Sequence, residues 1–214
     1  MKYQHGWAFP DADVFMLHEI SPSGEYQRSH LESALAYVND WTCSVDGGGH
    51  VGTFARLMAA RFARVVSVEP SADTYEALCA NMIKFGCTNV ETRRAALGAH
   101  PGMAQMTLDA RNADRSNTGA RHVVDGEDVP VVTVDSLALE TLGLLKLDVE
   151  GSEPMALMGA ADTLRRCRPV VLVEDKGLWM THYDLPKTAV RDILTAQSYR
   201  LAETVGCDQV WVPR

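Results

Sequence analysis

Val45-Asp46-Gly47-Gly48-Gly49-His50-Val51-Gly52 is the stretch whose reading decides the fold. It follows an apolar, β-branched run over residues 41–45. It opens an alternating Ala/Leu/Met/Arg segment over residues 53–61. Strand, glycine turn and helix, in that order, form the local context of a nucleotide-type cofactor site. Glycines let the backbone turn sharply and approach a ligand closely. The start of a helix offers N–H groups that have no partner within the helix. Seventeen residues after Gly52, a second β-rich run, Val65-Val66-Ser67-Val68, ends in Glu69. An acid there is placed to accept hydrogen bonds from two ribose hydroxyls.

Outward from this core the pattern alternates strand and helix. Residues 12–20 read as a short strand, Ser21-Pro22-Ser23-Gly24 as a turn, and 25–38 as a helix carrying Leu31, Leu35 and Val38 at helical spacing. Residues 41–45 and 64–68 are strands. Residues 72–85 are a helix with Tyr75, Leu78, Met82 and Phe85 on one face, and 89–93 are a short strand. Two added strands, 103–108 and 129–134, flank a polar loop over 109–122 in which Asn117 and Gly119 can approach a cofactor. Alternation resumes with a strand over 144–147 ending at Asp148, a helix over 153–166, a strand over 169–173 ending at Glu174-Asp175, and a helix over 188–197. Residues 200–204 and 209–212 flank Gly206 as an antiparallel hairpin. Strands separated by helices predict an α/β fold with a mostly parallel sheet and helices on both faces. The expected organisation is a single domain over 41–214, with residues 1–40 as a lead-in packed on it.

Asp46, Glu69, Asp148 and Glu174 all fall at the carboxyl ends of predicted strands, where α/β sheets bind ligands. Each acid singly can be a helix cap. Four at equivalent positions point instead to a site, because apolar strands bury acids poorly unless they are paired. Gly47-x-Gly49-x-x-Gly52 also matches a dinucleotide fingerprint. A carboxylate at Asp46, just before the glycines, repels a pyrophosphate but suits an ammonium- or sulfonium-bearing ligand. About forty residues precede the motif, and a hairpin rather than a substrate domain follows the last helix.

Composition narrows the partners. The 214-residue chain has a net charge of −8, which disfavours long duplex nucleic acid. Arg93, Arg94, Arg111, Arg115 and Arg121 gather around one loop region and weigh toward a solvated face. The five cysteines are scattered without metal-ligand spacing, Cys43 reads as a small core residue, and the pattern fits a reducing cytoplasmic compartment. No signal peptide is read at the N-terminus, and no apolar run reaches the roughly 20 residues that span a bilayer. A homodimer is left open.

In several separate blocks the chain resembles the FkbM family of S-adenosylmethionine-dependent methyltransferases. The glycine stretch looks like the family's cofactor loop. Val68-Glu69-Pro70-Ser71 through Leu78, Asn81 and Asn89-Val90 looks like its second block, followed by Ala96-Leu97-Gly98 and Val132-Thr133-Val134-Asp135-Ser136-Leu137. Most specific is Leu145-Lys146-Leu147-Asp148-Val149-Glu150-Gly151-Ser152-Glu153, with Met158-Gly159-Ala160 and Pro169-Val170-Val171-Leu172-Val173-Glu174 after it. His50 stands where the family often has Asn, and Arg93-Arg94 where a small or amide residue is common.

The resemblance implies a Rossmann-like class I methyltransferase fold with a seven-stranded sheet. It also implies S-adenosyl-L-methionine as cofactor and a small-molecule or carbohydrate acceptor. Asp46, the Gly47–Gly49 backbone and Gly52 would shape the methionine site. Glu69 would take the ribose. Pro70, Ser71, Arg94 and Ala95 would border the adenine, and Asp148 would lie near the transferred methyl and the methionine ammonium. Candidates for a base are Asp148, Glu150, Glu174 and His182. Glu150 reads equally as a carboxylate at a helix N-terminus. Lys146 reads as the structural partner of a neighbouring acid, while Lys176 and His182 lie in a segment, 175–186, that can border the site. Trp179, Met180 and Tyr183 read as core, with a substrate wall as the alternative. No metal is expected; an Mg²⁺ site on Asp148, Glu174 and Asp175 has no spacing rule behind it. The competing functions are an NAD-linked oxidoreductase and a non-catalytic interaction module of the same fold.

Overall fold

Leu144, Val170 and Leu172 bury one face of the central strands, and Leu145, Leu147, Val171 and Val173 bury the other. This period-two alternation, apolar on both sides, is what a parallel sheet covered by helices requires. The computed structural model describes every residue except Pro22, Gly24 and 109–116. Part of the expected 21–24 turn, the first eight residues of the polar loop, and Arg111 and Arg115 therefore lie outside the described residues.

The chain begins with strands β1 (Lys2–Gln4) and β2 (Trp7–Phe9) and helices α1 (Phe15–Glu19) and α2 (Arg28–Leu35). The alternating core follows as β3 (Cys43–Gly47), α3 (Thr53–Ala59), β4 (Arg64–Val68), α4 (Ala72–Lys84) and β5 (Val90–Arg93). Strands β6 (Ala96–Leu97), β7 (Gly102–Leu108) and β8 (Arg121–Val132) make a separate three-stranded sheet. Then come β9 (Leu144–Leu147), α5 (Glu153–Met158), α6 (Ala161–Cys167), β10 (Val170–Glu174), α7 (Trp179–His182), α8 (Ala189–Ala196), β11 (Tyr199–Val205) and β12 (Asp208–Pro213). The main sheet has seven strands in the order β11-β12-β10-β9-β3-β4-β5. Strands β3, β4, β5, β9 and β10 pair in parallel, and β12 pairs antiparallel with both β10 and β11.

Three segments depart from the sequence reading. Residues 12–20 are not a strand: Asp13 accepts the N–H of Met16 at 3.0 Å, and that cap starts α1. The helix expected over 153–166 breaks at Gly159, whose backbone packs so closely on Gly98 that a Cβ would lie 2.1 Å from its carbonyl oxygen. Asp135 then accepts the N–H groups of Asp162 and Thr163 at 3.1 and 2.8 Å, so a side chain from outside starts α6. Arg121 and His122, expected in the polar loop, begin β8 opposite Leu108 and Thr107.

The β1–β2 hairpin was not anticipated. Its two turn residues, His5 and Gly6, both have positive φ (48° and 86°), the geometry that matches hairpin twist. Trp7 and Phe9 bury against Val51 and Ala77. Asn81 of α4 holds β2 from both sides, accepting from Ala8 N–H at 2.7 Å and donating to Ala8 and Val51 carbonyls at 2.9 and 2.8 Å. All five cysteines are free thiols. Among the described residues no helix is long and apolar enough to cross a membrane.

Candidate functional site

Strand order reverses between β3 and β9, so the loops leaving their carboxyl ends part and leave a crevice there. A cavity of about 480 Å³ occupies it, within the size range of small-molecule sites.

The glycine loop forms the floor of the cavity. Gly48 and Gly49 both donate to Val68 O at 3.0 Å, which ties the turn to the end of β4. Gly48 has φ +78°, and a Cβ there would sit 1.8 Å from Asp148 O; at Gly49 a Cβ would meet Ser67 Oγ at 2.2 Å. Both positions therefore exclude a side chain, and their backbones line the cavity. Gly47 and Gly52 do not line it. Their Cβ positions are filled by Leu97 and Leu147, and by Met82 and Leu78, respectively, so they serve packing beneath the loop.

Glu69, at the end of β4, lines the cavity at one end. Its Oε2 accepts the His50 N–H at 2.9 Å, and its Oε1 accepts Ser71 N–H at 2.9 Å and Thr74 Oγ1 at 2.7 Å. Three donors thus lock the carboxylate in place. Pro70, Ser71, Ala95 and Asn117 also line the cavity; Arg94 does not. Arg121 lines it too, paired with Asp73 through Nη2 at 2.8 Å.

His50 has φ +47°, and its Nε2 lies 3.0 Å from Thr118 Oγ1 and 3.1 Å from the buried Asp13 carboxylate. Thr118 donates to the same carboxylate at 2.6 Å. Burial opposes ionisation of Asp13, but the hydrogen bond and charge of His50, the Thr118 hydroxyl and the Met16 N–H together hold its carboxyl below the usual range. The lead-in, the glycine loop and the residues just before β8 meet at this triad.

Asp46 does not reach the cavity. It is fully buried, receives Ser67 Oγ at 3.1 Å, and pairs with Lys146 Nζ at 3.1 Å. Lys146 also donates to the carbonyls of Gly47 and Gly48 at 3.2 and 2.9 Å. The expectation that Asp46 touches the methionine part is corrected: parallel register puts Ser67, Asp46 and Lys146 side by side, and the lysine takes the charge.

Beyond Asp148, carboxylate oxygens of Asp148, Glu150 and Glu174 come within 4.8 Å of one another. Lys176 sits among them, 3.2 Å from Glu150 Oε1 and 2.9 Å from Glu174 Oε2. Burial and then repulsion from Asp148 push the Glu150 and Glu174 carboxyls up. Burial opposes the Asp148 charge too, but Lys146, Lys176 and the Glu174 carboxyl outweigh it, so Asp148 is held down. Asp175 is not part of the cluster; it accepts from Gln209 Nε2 at 2.5 Å. His182 does not line the cavity; it stacks on His122 with ring centroids 4.0 Å apart and packs against Gly151. Tyr183 hydrogen-bonds Ser152 at 2.8 Å and packs on the core, while the side chains of Trp179 and Met180 lie outside the description.

Sequence reasoning missed several residues of the cavity wall. Tyr26, His30 and Phe54, and Asp208 from the closing hairpin, line the same cavity. His30 Nδ1 and Asp208 Oδ2 are 2.7 Å apart. Partners separated by 178 positions leave no local signature.

The sheet order, the reversal at β3/β9 and the antiparallel β12 define a Rossmann-like class I methyltransferase fold. The methyltransferase FkbM domain model matches residues 46–201, and the chain belongs to that family. No curated protein matches the chain by sequence. Among solved structures, the methyltransferase FkbM from Methylobacillus flagellatus KT is 16% identical, with a TM-score of 0.56 over 88% of this chain. The present chain spans only 46% of that protein's length. Precorrin-6y C5,15-methyltransferase from Geobacter metallireducens GS-15 is 12% identical, with a TM-score of 0.54 over 96% of this chain and 91% of that one. SMU.1697c from Streptococcus mutans, in complex with SAH, is 8% identical, with a TM-score of 0.52 over 86% and 93% of the two chains.

Proposed function

We propose that the protein is an S-adenosylmethionine-dependent O-methyltransferase that modifies a hydroxyl of a small molecule, sugar or glycan. The observation that carries this reading is the arrangement of one cavity: a locked Glu69 at one end, side-chain-free Gly48 and Gly49 in the middle, and the Asp148–Glu150–Glu174–Lys176 cluster beyond. The residues fit the cofactor. Glu69, with Oε1 taken by two protein donors and Oε2 by one, keeps a lone pair on Oε2 for a ribose hydroxyl, and Pro70, Ser71 and Ala95 give the adenine a mostly apolar border. Backbone at Gly48 and Gly49, with the ionised Asp148, suits the methionine part and its ammonium. When bound, the cofactor supplies an electrophilic methyl on a sulfonium, and the protein's task is to orient and desolvate. The Asp148 carboxylate, held ionised, is complementary to that positive charge. Glu150, Glu174 and Lys176 offer acceptors and a donor to a polyhydroxylated ligand.

Calorimetry with S-adenosylhomocysteine and with NADH, followed by transfer of radiolabelled methyl to a panel of methyl glycosides and simple alcohols, tests the reading. Heat with S-adenosylhomocysteine alone, and label in an ether linkage, is the expected result. Heat with NADH alone overturns the methyl donor. Label on amines but on no hydroxyl overturns the acceptor class.

A further inference from the structure

His30 and Asp208 form a dyad on the cavity wall, outside the residues 46–201 that the family shares. His30 lies on α2 of the lead-in, and Asp208 opens β12 of the closing hairpin. Asp208 pairs in register with Glu174 across the antiparallel β10–β12 ladder, so the two side chains stand on the same face of the sheet. Glu174 in turn belongs to the carboxylate cluster around Asp148. Burial disfavours the Lys146 ammonium, but Asp46, then Asp148 and last the Asp208 charge outweigh it and keep it protonated. The dyad therefore flanks the carboxylates on which the acceptor end of the cavity is built.

The chemistry of the pair is directional. A carboxylate only accepts, so Asp208 takes the Nδ1–H of His30 and leaves Nε2 as the ring's lone-pair nitrogen. Position 206 is a glycine with φ +61°; a Cβ there would lie 3.3 Å from His30 Cε1 and 3.8 Å from Nε2. The glycine at 206 places no Cβ against that edge of the ring, and His30 and Gly206 both line the cavity. The carboxylates are poorly suited to take a proton. Lys176 engages Glu150 and Glu174, burial pushes both toward the protonated form, and Asp148 is a weak base held ionised by the surrounding cations.

We propose that His30 is the general base of the reaction and that Asp208 is the residue that positions it. The inference rests on the reading that the acceptor is a hydroxyl. As the acceptor oxygen bonds to the methyl carbon, its O–H proton passes to His30 Nε2. The electron pair of the broken carbon–sulfur bond stays on sulfur, which becomes a neutral thioether. Asp208 stabilises the imidazolium, and the proton then leaves to water.

The test uses the full chain and the methyl glycoside or alcohol that accepts label in the panel above. H30Q is expected to lower kcat by about 10²- to 10⁴-fold, with S-adenosylhomocysteine affinity by calorimetry unchanged within about twofold. In H30A, added imidazole restores part of the rate, which a purely structural staple between α2 and β12 does not allow. D208N lowers kcat, and D208E recovers part of it. Melting curves of each variant check the fold. Wild-type kcat in both folded His30 variants, or loss of activity in H30A without any imidazole rescue, overturns the dyad and leaves the hydroxyl reading intact. Absence of transfer to every hydroxyl overturns both.

Discussion

Lys146 and Asp46 stand side by side on adjacent parallel strands, with Nζ 3.1 Å from Oδ1 and no more than 4% of either side chain exposed. An acid that looks like a ligand contact is thus the counter-ion of a buried lysine. That lysine holds the carbonyls of Gly47 and Gly48 and so sets the shape of the glycine loop from below.

Removing either partner strands a charge where water cannot reach it. D46A and K146A are each expected to cost about 3–5 kcal/mol, read as a lower midpoint in denaturant melts. The double variant should cost less than the sum, because neither charge is then left unpaired. Strict additivity of the two single losses contradicts the pairing.

Glu69 is held by three protein donors and still faces the cavity. E69Q should weaken S-adenosylhomocysteine binding by about 1.5–3 kcal/mol, or roughly 10- to 100-fold in Kd, since one charge-assisted hydrogen bond is lost. The melting temperature should move far less than in D46A. Equal affinity of E69Q and wild type in calorimetry removes Glu69 from the site.

Glu153 is buried at the start of α5 and accepts the N–H groups of Val149 and Gly151 at 3.0 and 3.2 Å. Burial nonetheless dominates and raises its pKa from 4.5 to about 7. The folded state therefore holds this proton longer than the unfolded chain. The resulting stability is complete below pH 4.5 and is lost as pH rises through about 7. Denaturant midpoints measured from pH 4 to 8 should show a falling contribution on the order of 3 kcal/mol. E153Q, which cannot titrate, should flatten that part of the profile; an identical slope in E153Q refutes the assignment.

The Asp13–His50–Thr118 triad joins three segments far apart in sequence, two of its members lining the cavity. T118V and D13N should leave the sheet intact while loosening this contact by about 1–3 kcal/mol. Hydrogen exchange should then speed up roughly 5- to 100-fold in the glycine loop and around residues 117–120. Uniform acceleration across β3, β9 and β10 would instead place the triad among the global stabilisers.

Much of the fold was legible because local patterns coincide with global ones. The strand over residues 64–68 was read with its observed bounds, as was that over 144–147, since their apolar runs are bounded by turns and bury both faces. Glu69 and the glycine loop were readable because a turn that excludes Cβ atoms must be written in glycine. The reading of residues 153–166 failed where a side chain outside the predicted element decided it, Asp135 at the start of α6; that of residues 12–20 failed where Asp13, within the segment, accepts the Met16 N–H and favours a helical turn over a strand. Gly159 marked the break, but its reason, the Gly98 carbonyl beneath it, lies 61 positions away.

The amino-acid sequence by itself determined the alternating strands and helices, the glycine loop and the family, because each is encoded in contiguous residues whose spacing reflects backbone geometry. Only the tertiary structure decided which acids line the cavity and which are counter-ions. Asp46 and Asp148 read alike along the chain, yet strand register gives Asp46 to Lys146 and leaves Asp148 facing the cavity. The same holds for His30 and Asp208: one belongs to the first helices and the other to the last strand, and only the closing of the sheet by β12 brings the imidazole and the carboxylate to 2.7 Å. Charge and hydrogen-bond partnerships act through space over a few ångströms, and the order of residues along a chain does not carry that distance.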